Sequence, residues 1–128
     1  NILTIYNSPR EIRFNIKIEE NIELNLDTTI PCSLIINELL TNSIKHAFPD
    51  DNKGNINIKW EQKGEEYILD FADDGIGLPY DELEKSPHLG LKLVQGLVDQ
   101  IDGTIKLNRK HGTQYTIKFR ELEYKKRI

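Results

Sequence analysis

Residues 11–18 read "EIRFNIKI": every second position, Ile12, Phe14, Ile16 and Ile18, is apolar, and the positions between them are charged or polar. A period of two with one apolar side is the pattern of a β-strand that has one dry face and one wet face. The same reading fits Ile22, Leu24 and Leu26, then Ile56, Ile58 and Trp60, then Tyr67, Leu69 and Phe71, then Ile105 and Leu107, and last Tyr115, Ile117 and Phe119. Strands covered on both faces read as unbroken apolar runs, so this alternation excludes a doubly wound nucleotide fold. Two helical segments are available as cover. One is predicted to start at Pro31, after Thr28 and Thr29, and to run about four turns to Phe48-Pro49. The other runs from about Leu89 to Ile101 with a stripe of Val94, Leu97, Val98 and Ile101, and Asp102-Gly103 ends it. Turns are expected at Asp51-Gly54, Lys63-Gly64 and His111-Gly112. The expected fold class is α/β: a two-layer α/β sandwich, a mixed sheet with helices on one face.

Length and charge narrow the function. The chain has 128 residues, enough for one domain with a modest core. Its net charge of −4, with acidic and basic residues intermixed, makes no electrostatic case for nucleic acid, and Lys125, Lys126 and Arg127 form only a short basic tail. A single cysteine, Cys32, excludes an internal disulfide framework and a cysteine-built zinc site, which fits a reducing compartment. No apolar run reaches the length of a membrane span or a signal peptide. A soluble, cytoplasmic piece is expected, whose parent is free to be membrane-anchored. Asn1 in place of an initiating methionine suggests that the piece was taken from something longer.

The stretch "NELLTNSIKHAF", residues 37–48, carries polar groups at unusual places for a helix that must be buried. At about 100° per residue, Ile36, Leu40, Ile44 and Ala47 share one side and form the expected core stripe. Glu38, Asn42 and His46, spaced i, i+4, i+8, cluster roughly opposite with Lys45 beside them, yet Ile35 and Leu39 lie on that flank too. A helix apolar on one side and half apolar on the other resembles a pocket wall. A solvated polar face carrying a helix-stabilising pair explains this segment equally well.

Residues 71–79, "FADDGIGLP", run an apolar strand into two carboxylates and two glycines, which delivers charge to a sheet edge where backbone can approach a ligand closely. Three templates fail on it. A dinucleotide fingerprint needs a small residue where Tyr80 stands. A calcium loop read from Asp70 puts Ala72 at its third ligand position and Asp81 at its twelfth. A Walker loop needs a Gly-Lys-Ser/Thr that is absent. A plain strand-to-turn junction explains the glycines but not the doubled carboxylate. In "HLGLKLVQGLV", residues 88–98, Gly90 lies at a helix start, where free N–H groups favour an anion, although packing is the commoner reason for such a glycine. Gly112-Thr113 alone is an ordinary hairpin.

Order is what carries the weight. An Asn-bearing helix, a strand ending in Asp-x-Gly-x-Gly, Leu-Gly-Leu opening a helix and Gly-Thr opening a strand together resemble the Bergerat-type ATP-binding domain of sensor histidine kinases. That superfamily also holds gyrase, the heat-shock chaperone of the ninety-kilodalton class and mismatch-repair ATPases. The wording "IPCSLIINELLTNSIKHAFPD" followed by "LGLKLV" is similar to the subgroup with a phosphoacceptor domain of the second type.

The resemblance implies ATP and Mg²⁺ as cofactors and a role for each matching residue. Asn42 matches the asparagine whose oxygen holds Mg²⁺. Glu38 stands where many histidine kinases have asparagine and relatives have a catalytic base, so its role is open between proton acceptor and orienter of a Mg²⁺-bound water. Lys45 matches a position that reaches phosphates. His46 is expected as a pocket-wall histidine. Asp73 matches the aspartate that accepts from the exocyclic amine of adenine, with Asp74 expected to face solvent. Gly75 and Gly77 match the glycines beside the base. Leu89, Gly90 and Leu91 match the box beside the phosphates, with His88 standing where the family often has glycine. Thr113 resembles the threonine near adenine. Residues 78–87, with Asp81, Glu82 and Glu84, would form a short lid.

None of His46, His88 and His111 sits on an exposed helix as a phosphoacceptor should, so the chain resembles half an enzyme: residues 10–128 the catalytic domain, and residues 1–9 the remnant of a connection to an upstream phosphoacceptor domain. The implied partners are that domain in the same parent, which would make the parent a homodimer, and a downstream response regulator. Two alternatives stay open. One is an anti-sigma-factor-like serine kinase with Glu38 as general base. The other is a non-catalytic nucleotide-binding module.

Overall fold

The computed structural model of the chain describes residues 2–3, 11–48 and 53–121. Six strands form one sheet: β1 (Ile2–Leu3), β2 (Glu11–Ile18), β3 (Lys53–Lys63), β4 (Glu66–Asp73), β5 (Thr104–Asn108) and β6 (Thr113–Arg120), in the spatial order β1-β2-β3-β4-β6-β5. The β2–β3 pair is parallel and every other pair is antiparallel, so the sheet is mixed as expected. The register aligns the apolar positions across the sheet. Phe14 pairs with Ile56, Ile58 with Phe71, Leu69 with Ile117 and Phe71 with Tyr115. These residues face the helices and are buried, and Ile12, Ile56, Leu69, Phe71, Tyr115 and Ile117 are fully so. The opposite face is wet and held by polar pairs such as Asn15 with Asn57 and Thr116 with Asp70.

Helix α1 (Leu26–Asn42) and helix α2 (Leu89–Gln100) pack against each other over the apolar face. Of the stripe predicted for α2, Val94, Val98 and, at the C-cap, Ile101 are fully buried, with Leu91 one turn before them, whereas Leu97 is only half-buried against the core. Three expectations for the α1 region need correction.

First, Ile22, Leu24 and Leu26 form no strand. Residues 22–25 are irregular and Leu26 opens α1, because Asn25 caps the helix with its side-chain oxygen accepting from the Thr28 N–H at 3.0 Å. Ile22 and Leu24 still pack on the core, which is why they imitate a strand.

Second, α1 starts five residues before Pro31, which lies inside it. An interior proline costs about 3 kcal/mol. Ile35 and Leu39 are fully buried, and each contributes about 1.5–3 kcal/mol, enough to offset it.

Third, the core stripe of α1 is Cys32, Ile35, Leu39, Ser43 and Ala47, while Ile36, Leu40 and Ile44 are only half-buried. The helix is rotated about one residue from the expected phase. Many apolar or small side chains compete for the inside of this amphipathic segment, and packing on the sheet selects among them. Burial pushes the Cys32 thiol up to about 12, so it is a core group.

After Asn42 the helix widens into a π-helical turn, Ser43–Ala47. Of the expected turns, Lys63-Gly64 joins β3 to β4, and His111-Gly112 joins β5 to β6. Gly54 lies within β3, and Asp51 and Asn52 fall outside the described residues.

Candidate functional site

The site is built where β4 stops. Tyr67, Leu69, Phe71 and Asp73 share the core-facing side of that strand, so period two alone carries a carboxylate into the interior at the strand's C-terminal end. Asp73 is 4% exposed. The Ser43 hydroxyl donates to its Oδ2 at 2.7 Å, the Gly75 N–H donates to its Oδ1 at 3.1 Å, and the Thr113 backbone N–H adds a third bond. Burial is the largest influence and raises its pKa; the three hydrogen bonds oppose that and the nearby Asp74 reinforces it, leaving the carboxyl above its ordinary value.

Asp74 points the other way. It is exposed and also bonded, accepting from the Asn55 N–H at 2.7 Å and from Asn55 Nδ2 at 2.8 Å, while its own N–H donates to the Asn55 carbonyl at 3.2 Å. The doubled carboxylate therefore has a division of labour. Asp73 enters the interior and Asp74 clamps the end of β4 to β3.

Two glycines let the backbones close in. A Cβ on Gly75 would overlap the Ala47 carbonyl oxygen, which accepts the Ile76 N–H at 2.9 Å. Gly112, at φ +80°, presses on the Asp73 carbonyl, and a side chain there would meet both a steric block and an unfavourable backbone region.

Against these groups lies a cavity of about 200 Å³. Asn42 from the end of α1, His46 and Ala47 from the π-helical turn, and Asp73 and Thr113 from β4 and β6 line one side of it. Ile76, Gly77, Leu78, Pro79, Tyr80, Pro87 and His88 line the other. It is mostly apolar with a buried acceptor at its base, and it is small for a ligand cleft, whose ordinary range is roughly 300–1,000 Å³. A flat bicyclic base fits such a space, and a charged chain attached to the base would extend beyond it.

The expected lid, residues 78–87, is folded onto the protein. Leu83 joins the core within a short 3₁₀ turn, Leu83–Lys85, and the buried Ser86 hydroxyl accepts from Tyr80 Oη at 2.9 Å and from the His88 N–H at 3.0 Å. Asp81 and Lys85 pair at 2.7 Å on its exposed side. His88, the N-cap of α2, stacks its ring on His46 with centroids 4.1 Å apart and an interplanar angle of 19°. Desolvation, then the charge of His88, then that of Lys45 lower the pKa of His46, which favours its neutral imidazole.

The structure thus brings Asn42, His46, Asp73, Gly77 and Thr113 to one cavity, and Gly75 stands beside it. The remaining expected residues lie outside its lining. Glu38 is half-buried, and its Oε2 lies 2.5 Å from where a Cβ on Gly90 would stand, so the carboxylate sits over the start of α2. Lys45 and Leu89 are exposed, and Leu91 is a fully buried core residue. Ser43, Tyr80 and His88 belong to the site without having been among the expected site residues. Ser43 is buried by the same change of helix phase that corrects the α1 stripe, so no sequence periodicity pointed to it. Beneath the site, the buried Tyr115 hydroxyl has no hydrogen-bond partner among the described residues, and burial raises its pKa.

With this geometry established, similarity to known proteins is informative. Residues 28–123 match the family described as histidine kinase-, DNA gyrase B-, and HSP90-like ATPases. The chain is 34% identical over 114 residues to the sensor histidine kinase PdtaS of Mycobacterium tuberculosis, an alignment covering 85% of this chain and 23% of that protein. It is 27% identical over 100 residues to the blue-light-activated histidine kinase 2 of Erythrobacter litoralis, covering 77% and 29%. Among solved structures, the histidine kinase domain of the blue-light-activated kinase EL346 of Erythrobacter litoralis superposes with a TM-score of 0.77 at 27% identity, over 85% of this chain and 51% of that one. The histidine kinase AdeS of Acinetobacter baumannii shares the fold, with a TM-score of 0.73 at 22% identity over 88% and 55%. The chain belongs to the histidine kinase-, DNA gyrase B- and HSP90-like ATPase family, as an ATP-binding catalytic domain of the sensor-histidine-kinase kind. It spans about a quarter of the length of the curated relatives it matches.

Proposed function

We propose that the chain binds Mg-ATP in this cavity and donates the γ-phosphoryl group to a histidine on a separate domain of its parent, from which a response regulator then takes it. The observation that carries the reading is the buried Asp73 carboxylate at the base of an apolar cavity that also contains Asn42. A buried acceptor rewards a base that presents an N–H and rejects one that presents a carbonyl, so adenine is preferred over guanine.

The residues present suit a magnesium ion. Among the described residues there is no group of three or more His, Cys, Asp or Glu that could cage a metal. Mg²⁺ needs no such cage, because it keeps several waters and is held by one or two protein oxygens plus substrate phosphates. Asn42 would supply that oxygen. Magnesium, when bound, neutralises phosphate charge. The chain's own part is positioning. Asp73 orients the base, Leu78 and Tyr80 supply apolar lining, and Lys45, exposed and close enough to His46 to lower its pKa, would meet the phosphates. Residues 10–128 are proposed as the catalytic unit and 1–9 as the link to the phosphoacceptor domain. A cytoplasmic location is proposed; among the described residues no helix is long and apolar enough to cross a membrane.

The test is ATP affinity with and without Mg²⁺, measured by calorimetry on the chain and on Asp73→Asn and Asn42→Ala. Asp73→Asn should weaken binding severely, leaving only residual affinity at high nucleotide. Asn42→Ala should remove the Mg²⁺-dependent part and spare adenosine. ATP binding untouched by Asp73→Asn would overturn the reading in favour of a non-catalytic module.

A further inference from the structure

The Asp73 carboxylate is more fully occupied by its own chain than its role as a ligand group requires. An ionised carboxylate offers about four lone-pair positions. Three are taken: by the Ser43 hydroxyl at 2.7 Å, the Gly75 N–H at 3.1 Å and the Thr113 backbone N–H. Two of these donors are backbone N–H groups, one from the loop after β4 and one from the first residue of β6. The third is a side chain, and it is fully buried.

We propose that Ser43 is a positioning residue for the base: its buried hydroxyl fixes the plane of the Asp73 carboxylate so that one acceptor site remains, aimed into the cavity, and this makes the site selective for a base carrying one exocyclic N–H donor. The inference rests on the proposed adenine site and concerns how its selectivity arises. The hydroxyl must donate, because an ionised carboxylate only accepts. A short hydroxyl-to-carboxylate bond is of the charge-assisted kind, about twice as strong as a neutral one.

Placement supports the assignment. Ser43 opens the π-helical turn directly after Asn42, which lines the same cavity, and the turn closes with the Ala47 carbonyl accepting the Ile76 N–H at 2.9 Å. The turn is therefore fastened to the Asp73 loop at both ends, by Ser43 to Asp73 and by Ala47 to Ile76. Without the hydroxyl, the carboxylate keeps two backbone donors and gains a second unfilled acceptor site. It is then free to tilt within its slot. A base lacking an exocyclic amine loses less in that loosened site than adenine does, so discrimination narrows.

The experiment measures the affinity of the whole chain, by calorimetry, for ATP and for purine riboside triphosphate, which lacks the amine. The proteins are the parent, Ser43→Ala, Ser43→Cys, Asp73→Asn and Ser43→Ala combined with Asp73→Asn. Ser43→Ala should weaken ATP by roughly tenfold or more and purine riboside triphosphate far less, since the bond lost is one to a charged group. Ser43→Cys, similar in size and a weaker donor, should fall between. In the Asp73→Asn background Ser43→Ala should add nothing. Equal weakening of both nucleotides by Ser43→Ala, or full additivity with Asp73→Asn measured on the weaker residual binding at high nucleotide, would reduce Ser43 to packing and overturn the inference while leaving the adenine site standing. No effect of Asp73→Asn on ATP would instead overturn the adenine site itself. If Ser43→Ala does not fold, the Ser43→Cys ratio decides alone.

Discussion

Gly75→Ala isolates the close approach on which the site depends. Gly75 does not have a positive φ, so alanine is acceptable to the backbone there, and the whole effect should come from the added methyl. That methyl would overlap the Ala47 carbonyl oxygen and stand 2.6 Å from the Ala47 Cβ. Neither neighbour is the end of a flexible side chain, so the loop must lift away from the π-helical turn. Overpacking of this kind costs about 1–3 kcal/mol. Lifting the loop also breaks the Ile76-to-Ala47 hydrogen bond, worth about 1 kcal/mol. The sum, about 2–4 kcal/mol, corresponds to a Tm lower by on the order of 10 °C for a domain of this size. The Gly75 N–H would move from Asp73 at the same time, so ATP affinity should fall together with stability. Circular dichroism melts and calorimetric titration measure the two effects. A variant within about 0.5 kcal/mol of the parent, with unchanged ATP affinity, would refute the claim that residue 75 is glycine for contact with Ala47.

Gly64→Ala is the complementary case. Gly64 has φ +63° and open space where a Cβ would go, so the cost should be about 1 kcal/mol from backbone alone, visible in the melt and absent from the ATP titration. Asp73→Asn should weaken ATP binding severely without lowering Tm at neutral pH. Because burial raises the native pKa of Asp73, the native state holds that proton more tightly than the unfolded chain. Its contribution to stability is therefore greatest at low pH and declines as pH rises from the ordinary carboxylate value through the raised one. The variant should lose that slope in melts recorded across the acid range, and in the parent ATP affinity should fall as pH drops through the raised value. Asp74→Ala removes both bonds to the Asn55 side of β3 at an exposed position, and should cost about 1 kcal/mol and weaken ATP far less than Asp73→Asn. A larger effect of Asp74→Ala on ATP than of Asp73→Asn would reverse the division of labour between the two carboxylates.

Much of this architecture was legible in the residues because strand alternation is a strict, local signal. Side chains on a strand have only two directions, so Phe71 and Asp73 had to share a side whatever packed against them. Helix α1 was harder. With apolar residues at 35, 36, 39, 40 and 44, rotations of the helix differing by one residue bury similar amounts of hydrocarbon. Choosing Ile36 and Leu40 over Ile35 and Leu39 as the stripe left Ser43 out of view. The strand expected at 22–26 failed for a related reason. Ile22 and Leu24 do pack on the core, but the Asn25 cap turns the chain into a helix immediately after them.

What the sequence by itself determined is the order and kind of its elements and the chemistry at their ends: alternating strands, a helix bearing Asn42, and a carboxylate at the close of β4. Those properties depend on neighbours a few residues apart, and local sterics and solvation set them. What only the tertiary structure decided is which groups meet. Asp73 is held by residues 30 positions before it and 40 positions after it, in the π-helical turn after α1 and on β6. The rotation that brings Ser43 beneath it, the stacking of His46 on His88 and the separate place of Glu38 over Gly90 follow from how the helices settle on the sheet. That settling is a competition among nearly equal apolar faces, and the packing of the whole core resolves it.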